Sequence, residues 1–163
     1  MSVFQGHAAH YGVLYPMQTF SKGKEVDFSE IPVFVEASDA LADAVIQRLA
    51  RSVSGSVYQV SSAQRRYIHL SAVFACNFVN HCYALSADIL AEHGVPFSVM
   101  LPLIDETARK VHLMEPRQAQ TGPAVRYDEN VIHRQLQLLD GDDTLQDVYR
   151  LMSQSIHQTA TKQ

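Results

Sequence analysis

The stretch that decides the fold is YIHLSAVFACNFVNHCYALSA at residues 67–87, which contains no Lys, Arg, Asp or Glu. The pattern around it runs without a helix-breaking residue over residues 65–93 and stops at Gly94, which Val95 and Pro96 follow. This predicts one long helix that glycine and proline terminate. A helix without a charged face has to be covered on every side, so we expect residues 65–93 to be enclosed.

Two histidines and two asparagines interrupt this apolar stretch, namely His69, His81, Asn77 and Asn80. A step of four from His69 reaches Val73, another reaches Asn77, and a step of three then reaches Asn80. His69, Asn77 and Asn80 are therefore expected on one strip of the helix. They are either satisfied core groups that bond to neighbouring helices or the lining of one cleft. We take these three as the candidate catalytic residues.

Composition and charge limit which partners and which cellular compartment are expected for this chain. The chain has 163 residues, 47% of them hydrophobic and 18% charged, which is enough to bury a core. A net charge of -4 and a pI of about 6.0 provide no broad basic surface, so nucleic acid and membrane partners are not expected. Cys76 and Cys82 lie six positions apart on the predicted helix and project in different directions. No disulfide between them is expected, and with no signal peptide visible we expect a cytoplasmic protein.

The first third of the chain is typical of an α/β unit. Short apolar runs at 13–15 and 33–36 and the alternating run 56–60 predict strands. Residues 39–53 predict an amphipathic helix that Ser38 or Asp39 caps, because apolar residues recur every four positions, at Leu41, Val45, Leu49 and Val53. The last two strands should be parallel. A sheet this small has open edges. We therefore expect another copy of the chain, or an upstream segment of a longer protein, to cover these edges.

The rest of the chain predicts helices only. After the long helix, shorter ones are expected over 97–110, 128–139 and 144–159, with Val99 and Leu103 inward on the first. The predicted fold is therefore mainly α, with a short parallel α/β segment of partial Rossmann-like type at 1–60 and a helical domain at 61–163.

Two loops carry further candidate groups. Gln18 and Thr19 follow the first strand, at the end of a sheet where ligands sit in open α/β folds, although a simple strand exit is equally compatible. Thr121 precedes a Gly-Pro turn and Arg126 follows it. The Arg126 guanidinium suits either a carboxylate or phosphate ligand or a structural ion pair. We take these four as candidate substrate-binding residues.

Several kinds of site are not indicated. The eight histidines show no metal-binding spacing, so no metal site is expected. There is no Gly-x-Ser-x-Gly, Gly-x-Gly-x-x-Gly or Walker motif. The chain by itself therefore lacks a loop that cradles phosphate, and its cofactor-binding residues are unknown.

Four motifs in order give a family resemblance: YPMQTF at 15–20, RYIHLSAVFACNF at 66–78, LPL at 101–103 and TGPAVRYD at 121–128. Together they resemble a bacterial family described as putative NADP-dependent oxidoreductases, which pair a Rossmann-like domain with a helical domain of unknown function. Tyr15 stands where the family pattern has His, and Ile68 separates Tyr67 from His69, which the family has adjacent.

The resemblance implies that the helical half is similar to the C-terminal domain of 6-phosphogluconate dehydrogenase, which forms homodimers through long buried helices. It also implies that NADP binds the complete protein through a glycine-rich loop upstream of Met1, and this chain alone is not expected to bind it tightly. The chain would then form part of a small-molecule substrate cleft. The alternative is a non-catalytic helical dimerisation or protein-interaction module.

Overall fold

Three short strands form one sheet in the computed structural model, which describes residues 1–162. Strand β1 is Gly12–Pro16, β2 is Val33–Ala37 and β3 is Val57–Gln59, in the order β1-β2-β3. Strands β2 and β3 are parallel, as predicted, whereas β1 is antiparallel to β2. Parallel neighbours usually need a crossover helix, and only a short 3-10 helix, Phe28–Glu30, lies between β1 and β2. The expected α/β segment is confirmed, but its sheet is mixed.

Helix α1, Ala40–Val53, crosses from β2 to β3 and begins at the predicted cap. The Asp39 carboxylate accepts hydrogen bonds from the backbone N–H groups of Leu41 and Ala42. Hydrogen bonds from Ser38, the Ala42 N–H and His10 hold the pKa of Asp39 well below its usual range.

The core lies between the sheet and α1. Val33, Val35 and Ala50 are almost fully buried, and Leu14, Ile46 and Val57 pack around them. The apolar residues at four-residue spacing point away from this core, because Leu41, Val45 and Leu49 are each at least half exposed. Small alanines on the neighbouring stripe, Ala42 and Ala50, are buried instead. The spacing thus predicts the helix correctly but not its buried face.

The long helix is continuous but not regular. It comprises α2, Ser62–Ala72, a π-helical segment, Val73–Phe78, and α3, Val79–Glu92. Ser61 and Gln64 form a capping box at its start. At its end Gly94 adopts a φ of 69°, and the Val95 N–H bonds to the Leu90 carbonyl.

The expectation that this helix is enclosed on all sides is wrong for the single chain. Tyr67 is 72% exposed, Phe74 is 62% exposed, and Leu70 and Phe78 are half exposed. We call these four residues the apolar face of the long helix. Within the first unit, no other segment covers this face.

The remaining helices are α4, Leu101–Leu113, α5, Pro116–Ala119, α6, Pro123–Arg126, α7, Glu129–Gln137, and α8, Asp143–Ala160. A 3-10 turn, Phe97–Met100, leads directly into α4. The helices α6, α7 and α8 bury Ala124, Ile132 and Ser153. Val99 and Leu103, predicted to face inward, are more than half exposed.

The predicted fold class, a short α/β segment and then helices, is confirmed. The chain divides into two compact units, Met1–Ser86 and Ala87–Gln163. The domain boundary at residues 60 and 61 stays a prediction.

Candidate functional site

The first unit places Tyr15 beside His69. Tyr15 lies near the end of β1, paired with Phe34 of β2, and its ring packs 6.5 Å from the Phe34 ring. Its hydroxyl shares a hydrogen bond of 3.0 Å with Nδ1 of His69, and the two rings meet edge to face. A strand residue thus fixes the imidazole of a helix residue. The direction of the bond follows the tautomer of His69.

Glu36 at the end of β2 holds the start of α2 against the sheet. Its carboxylate accepts hydrogen bonds from the Ser62 N–H at 2.9 Å and the Ser62 hydroxyl at 2.7 Å, and it forms an ion pair with Arg65. Burial raises the pKa of Glu36, but the bonds from Ser62 and Arg65 outweigh it, so the pKa lies below its usual range. This anchor sets the position from which His69 reaches Tyr15.

An open cavity of about 380 Å³ lies at the Tyr15–His69 pair. We call it the tyrosine–histidine cavity; its lining residues are Met1, Tyr15, Ser62, Arg65, Arg66 and His69. It combines a hydroxyl, an imidazole and two guanidinium groups, so it offers hydrogen-bond donors and positive charge to a small polar ligand.

A second cavity of about 480 Å³ lies at the π-helical segment. We call it the amide cavity; it is lined by Thr19, Ala75, Cys76, Asn77, Val79, Asn80 and Tyr83. The structure therefore brings together three of the candidate residues, Asn77, Asn80 and Thr19. Their side chains are neutral donors and acceptors, which suit a carbonyl, hydroxyl or amide group.

His69 does not line the amide cavity, although the sequence predicts one strip for His69, Asn77 and Asn80. The reason is the π-helical segment between them, in which backbone hydrogen bonds reach five residues instead of four. A count in steps of four therefore fails beyond Val73. π-helical segments occur frequently at functional sites.

Gln18 lies beside Thr19 but bonds locally. Its side-chain oxygen accepts the Thr19 N–H at 2.8 Å. Gln18 and Thr19 also line a third cavity of about 350 Å³ formed by the loop between β1 and β2. Thr19 therefore contributes to two neighbouring cavities of the first unit.

Thr121 and Arg126 belong to the second unit. Gly122 precedes α6 with a φ of 105°, and Tyr127 after α6 is left-handed at 51°. Asp128 caps α7 through the Val131 N–H, as its position predicts. Arg126 is exposed and forms no salt bridge in the described part of the chain.

Five residues of the tyrosine–histidine region were not among the candidates: Tyr15, Glu36, Ser62, Arg65 and Arg66. The sequence carried a signal for three of them, Tyr15, Arg65 and Arg66, and none for Glu36 or Ser62. Tyr15 replaces the His of the family pattern, and Arg65 and Arg66 are adjacent charges directly before an uncharged stretch.

Residues 1–162 also bear on metal binding, cysteine pairing and membrane insertion. No group of three or more His, Cys, Asp or Glu side chains could hold a metal ion there. Cys76 and Cys82 are exposed free thiols. No helix in this range has both the length and the apolarity needed to cross a bilayer.

Comparisons with known proteins identify the family to which the chain belongs. Residues 31–156 match the family model described as domain of unknown function DUF2520. A solved structure titled putative NADP oxidoreductase, from Bacteroides fragilis, is 57% identical with a TM-score of 0.92, covering 97% of this chain and 61% of that one.

A second solved structure, a Thermotoga maritima protein, is 21% identical with a TM-score of 0.76, covering 93% of this chain and 62% of that one, and it supports the fold alone. The chain thus spans about three fifths of the length of these structures. No protein of curated function matches it. Because the family model matches most of the chain, the protein belongs to the DUF2520 family.

Proposed function

We propose that this chain is the C-terminal portion of an NAD(P)-dependent oxidoreductase that forms part of the substrate cleft and the dimer interface. The observation that supports it is the 57% identity, over nearly the whole chain, to a structure titled putative NADP oxidoreductase. Hydride would pass between the nicotinamide and a small carbonyl, imine or hydroxy compound. The complete protein would act in the cytoplasm.

The residues present do not fit the dinucleotide itself. A pyrophosphate binds where a glycine-rich turn leads from a strand into a helix N-terminus. In this chain the Asp39 carboxylate occupies the N-terminus of α1, and the Glu36 carboxylate bonds to the first N–H of α2. Both carboxylates would repel phosphate. NADP would therefore be held by another segment, and we expect this chain not to bind it tightly.

The amide cavity supplies the proposed substrate contacts. Asn77, Asn80 and Thr19 line one hollow with polar groups that hydrogen-bond a neutral oxygen or nitrogen. His69 would contribute from the tyrosine–histidine cavity. Thr121 and Arg126 of the second unit are proposed as further substrate contacts, with Arg126 as an anion anchor.

An activity assay on the complete polypeptide tests this function. Oxidation of NADPH by the polypeptide is measured with a panel of small carbonyl and imine compounds, for the wild type, Asn77→Ala and a control, Asn130→Ala. Asn130 lies exposed on α7 and outside the amide cavity. We expect only Asn77→Ala to lose turnover. No NADPH oxidation by the wild type, or tight NADPH binding by this chain alone, would contradict the proposal.

The apolar face of the long helix supports a homodimer and also the alternative, a non-catalytic helical module. Apolar side chains this exposed are covered when two copies pack together, as in the 6-phosphogluconate dehydrogenase-like arrangement that we propose here. Sedimentation should show a dimer that Phe74→Asp dissociates, while Leu138→Asp, exposed on the second unit, does not. If Asn77→Ala and His69→Ala lower stability without weakening substrate binding, the alternative is favoured.

A further inference from the structure

The tyrosine–histidine cavity carries one positive charge that the fold leaves uncompensated. Arg65 is paired with Glu36, which also accepts the bonds from Ser62. Arg66 lines the same cavity, is exposed, and makes neither a salt bridge nor a side-chain hydrogen bond within residues 1–162. Because Glu36 cancels one arginine, the side chains at the cavity carry a net charge near +1 without counting His69.

The Tyr15 hydroxyl supplies a directed polar group next to this charge. It is held by Nδ1 of His69 at 3.0 Å and retains further hydrogen-bonding capacity at the cavity that both residues line. When Nδ1 of His69 carries the proton and donates it to the tyrosine oxygen, the phenolic O–H is free to donate to a ligand. A guanidinium fork beside such a hydroxyl matches a carboxylate beside a second oxygen.

We propose that the tyrosine–histidine cavity binds a small monocarboxylate that carries a carbonyl or hydroxyl oxygen next to its carboxylate. Arg66 binds the carboxylate, Tyr15 donates a hydrogen bond to the adjacent oxygen, and His69 is the positioning residue for Tyr15. This site is distinct from the amide cavity and goes beyond the proposed function, because the binding involves no nicotinamide.

Charge favours a monocarboxylate over a phosphate. One uncompensated guanidinium matches one negative charge, and the nearby Glu36 carboxylate disfavours a dianion. The cavity volume of about 380 Å³ is at the lower end for small-molecule sites and suits a compact ligand.

The experiment is an NMR titration of this isotope-labelled chain, with the His69 ring and Arg66 Nε–H signals as readouts. The probes are pyruvate, acetate and inorganic phosphate. We expect pyruvate to shift both signals and to bind more tightly than the other two. Arg66→Gln should weaken pyruvate binding by at least about tenfold, because a charge-assisted pair is lost. Arg48→Gln, an exposed arginine on α1, is the matched control and should change nothing.

Tyr15→Phe tests the contact to the adjacent oxygen separately from the Arg66 contact to the carboxylate. It should weaken pyruvate binding but leave acetate binding unchanged, since acetate has no adjacent oxygen. His69→Gln, which keeps a polar partner for Tyr15, should weaken pyruvate binding less than Tyr15→Phe. The amide spectrum of each variant shows whether the fold is retained.

Three results would overturn the proposal: pyruvate affinity unchanged in a folded Arg66→Gln variant, affinity unchanged in Tyr15→Phe, or phosphate displacing pyruvate. The titration contains no nicotinamide, so it is independent of turnover. A complete protein that fails to oxidise NADPH while this chain binds pyruvate as predicted would refute the oxidoreductase and retain the carboxylate site.

Discussion

Glu36→Gln tests whether one carboxylate fixes the long helix to the sheet. In the wild type, Glu36 accepts two hydrogen bonds from Ser62 and one from Arg65, whose side chain is only 19% exposed. Glutamine retains one acceptor oxygen and loses the charge, so Arg65 is left half-buried without its ionic partner. The start of α2, and with it His69, should become less firmly held.

The expected decrease in the free energy of unfolding follows from these contacts. Hydrogen bonds to charged groups contribute about 1.5–3 kcal/mol each, but a partly solvated pair recovers part of this from water. Because the amide still accepts a bond from Ser62, we expect the free energy of unfolding to fall by about 2 kcal/mol. For a chain of this size that corresponds to a Tm lower by about 4–8 °C.

The pH dependence gives the sharper test. The folded pKa of Glu36 is lowered, so its contribution is complete above its unfolded pKa of about 4.3 and is lost as pH falls through the folded pKa. Urea unfolding at pH 7 and at pH 3 should therefore show a difference between the wild type and Glu36→Gln that shrinks in acid.

The control is Glu25→Gln, at an exposed loop carboxylate that forms no salt bridge within residues 1–162. It should match the wild type at both pH values. A Glu36→Gln variant as stable as the wild type at pH 7, or a difference that does not change with pH, would refute the reasoning.

Three further substitutions test the sheet and α1 by urea unfolding. Gly12→Ala would place a Cβ 2.0 Å from Cδ1 of Ile46 and 2.5 Å from the Glu36 carbonyl oxygen, so we expect a loss of about 2 kcal/mol; wild-type stability would contradict this packing. Val35→Ala removes two methyl groups from a site only 1% exposed and should lower stability by about 2 kcal/mol, whereas a value near zero would mean that the core lies elsewhere. Asp39→Ala should destabilise α1 at pH 7 and progressively less below about pH 3.9, because the lowered pKa of Asp39 makes its contribution disappear in acid; a loss that persists in acid would exclude the cap as its cause.

Local sequence was sufficient for the ends of two helices and for one strand pairing. Asp39 begins α1, Ser61 begins the long helix and Gly94 ends it, because caps and left-handed glycines act over a few neighbouring residues. The parallel pairing of β2 and β3 also followed, since the helix between them dictates it. Each of these features is set by residues that lie within one local segment of the chain.

Which residues come together at the candidate site could not be predicted from local sequence. The approach of Tyr15 to His69 joins residues 54 positions apart, through a strand register and the Glu36 anchor. The sequence flagged His69 but gave no reason to connect it to Tyr15. The separation of His69 from Asn77 depends on the π-helical segment, which residue spacing did not predict.

The sequence by itself determined the three strands, α1, the extent of the long helix and the helical character of the rest of the chain, and it left open whether the polar groups of the uncharged helix bond within the core or line a cavity. Only the tertiary structure decided which face of α1 is buried, which polar groups share a cavity, and that the long helix carries an exposed apolar face. The physical reason is range: capping and backbone preference act between neighbours along the chain, whereas burial and hydrogen-bond partners depend on segments that meet only after folding.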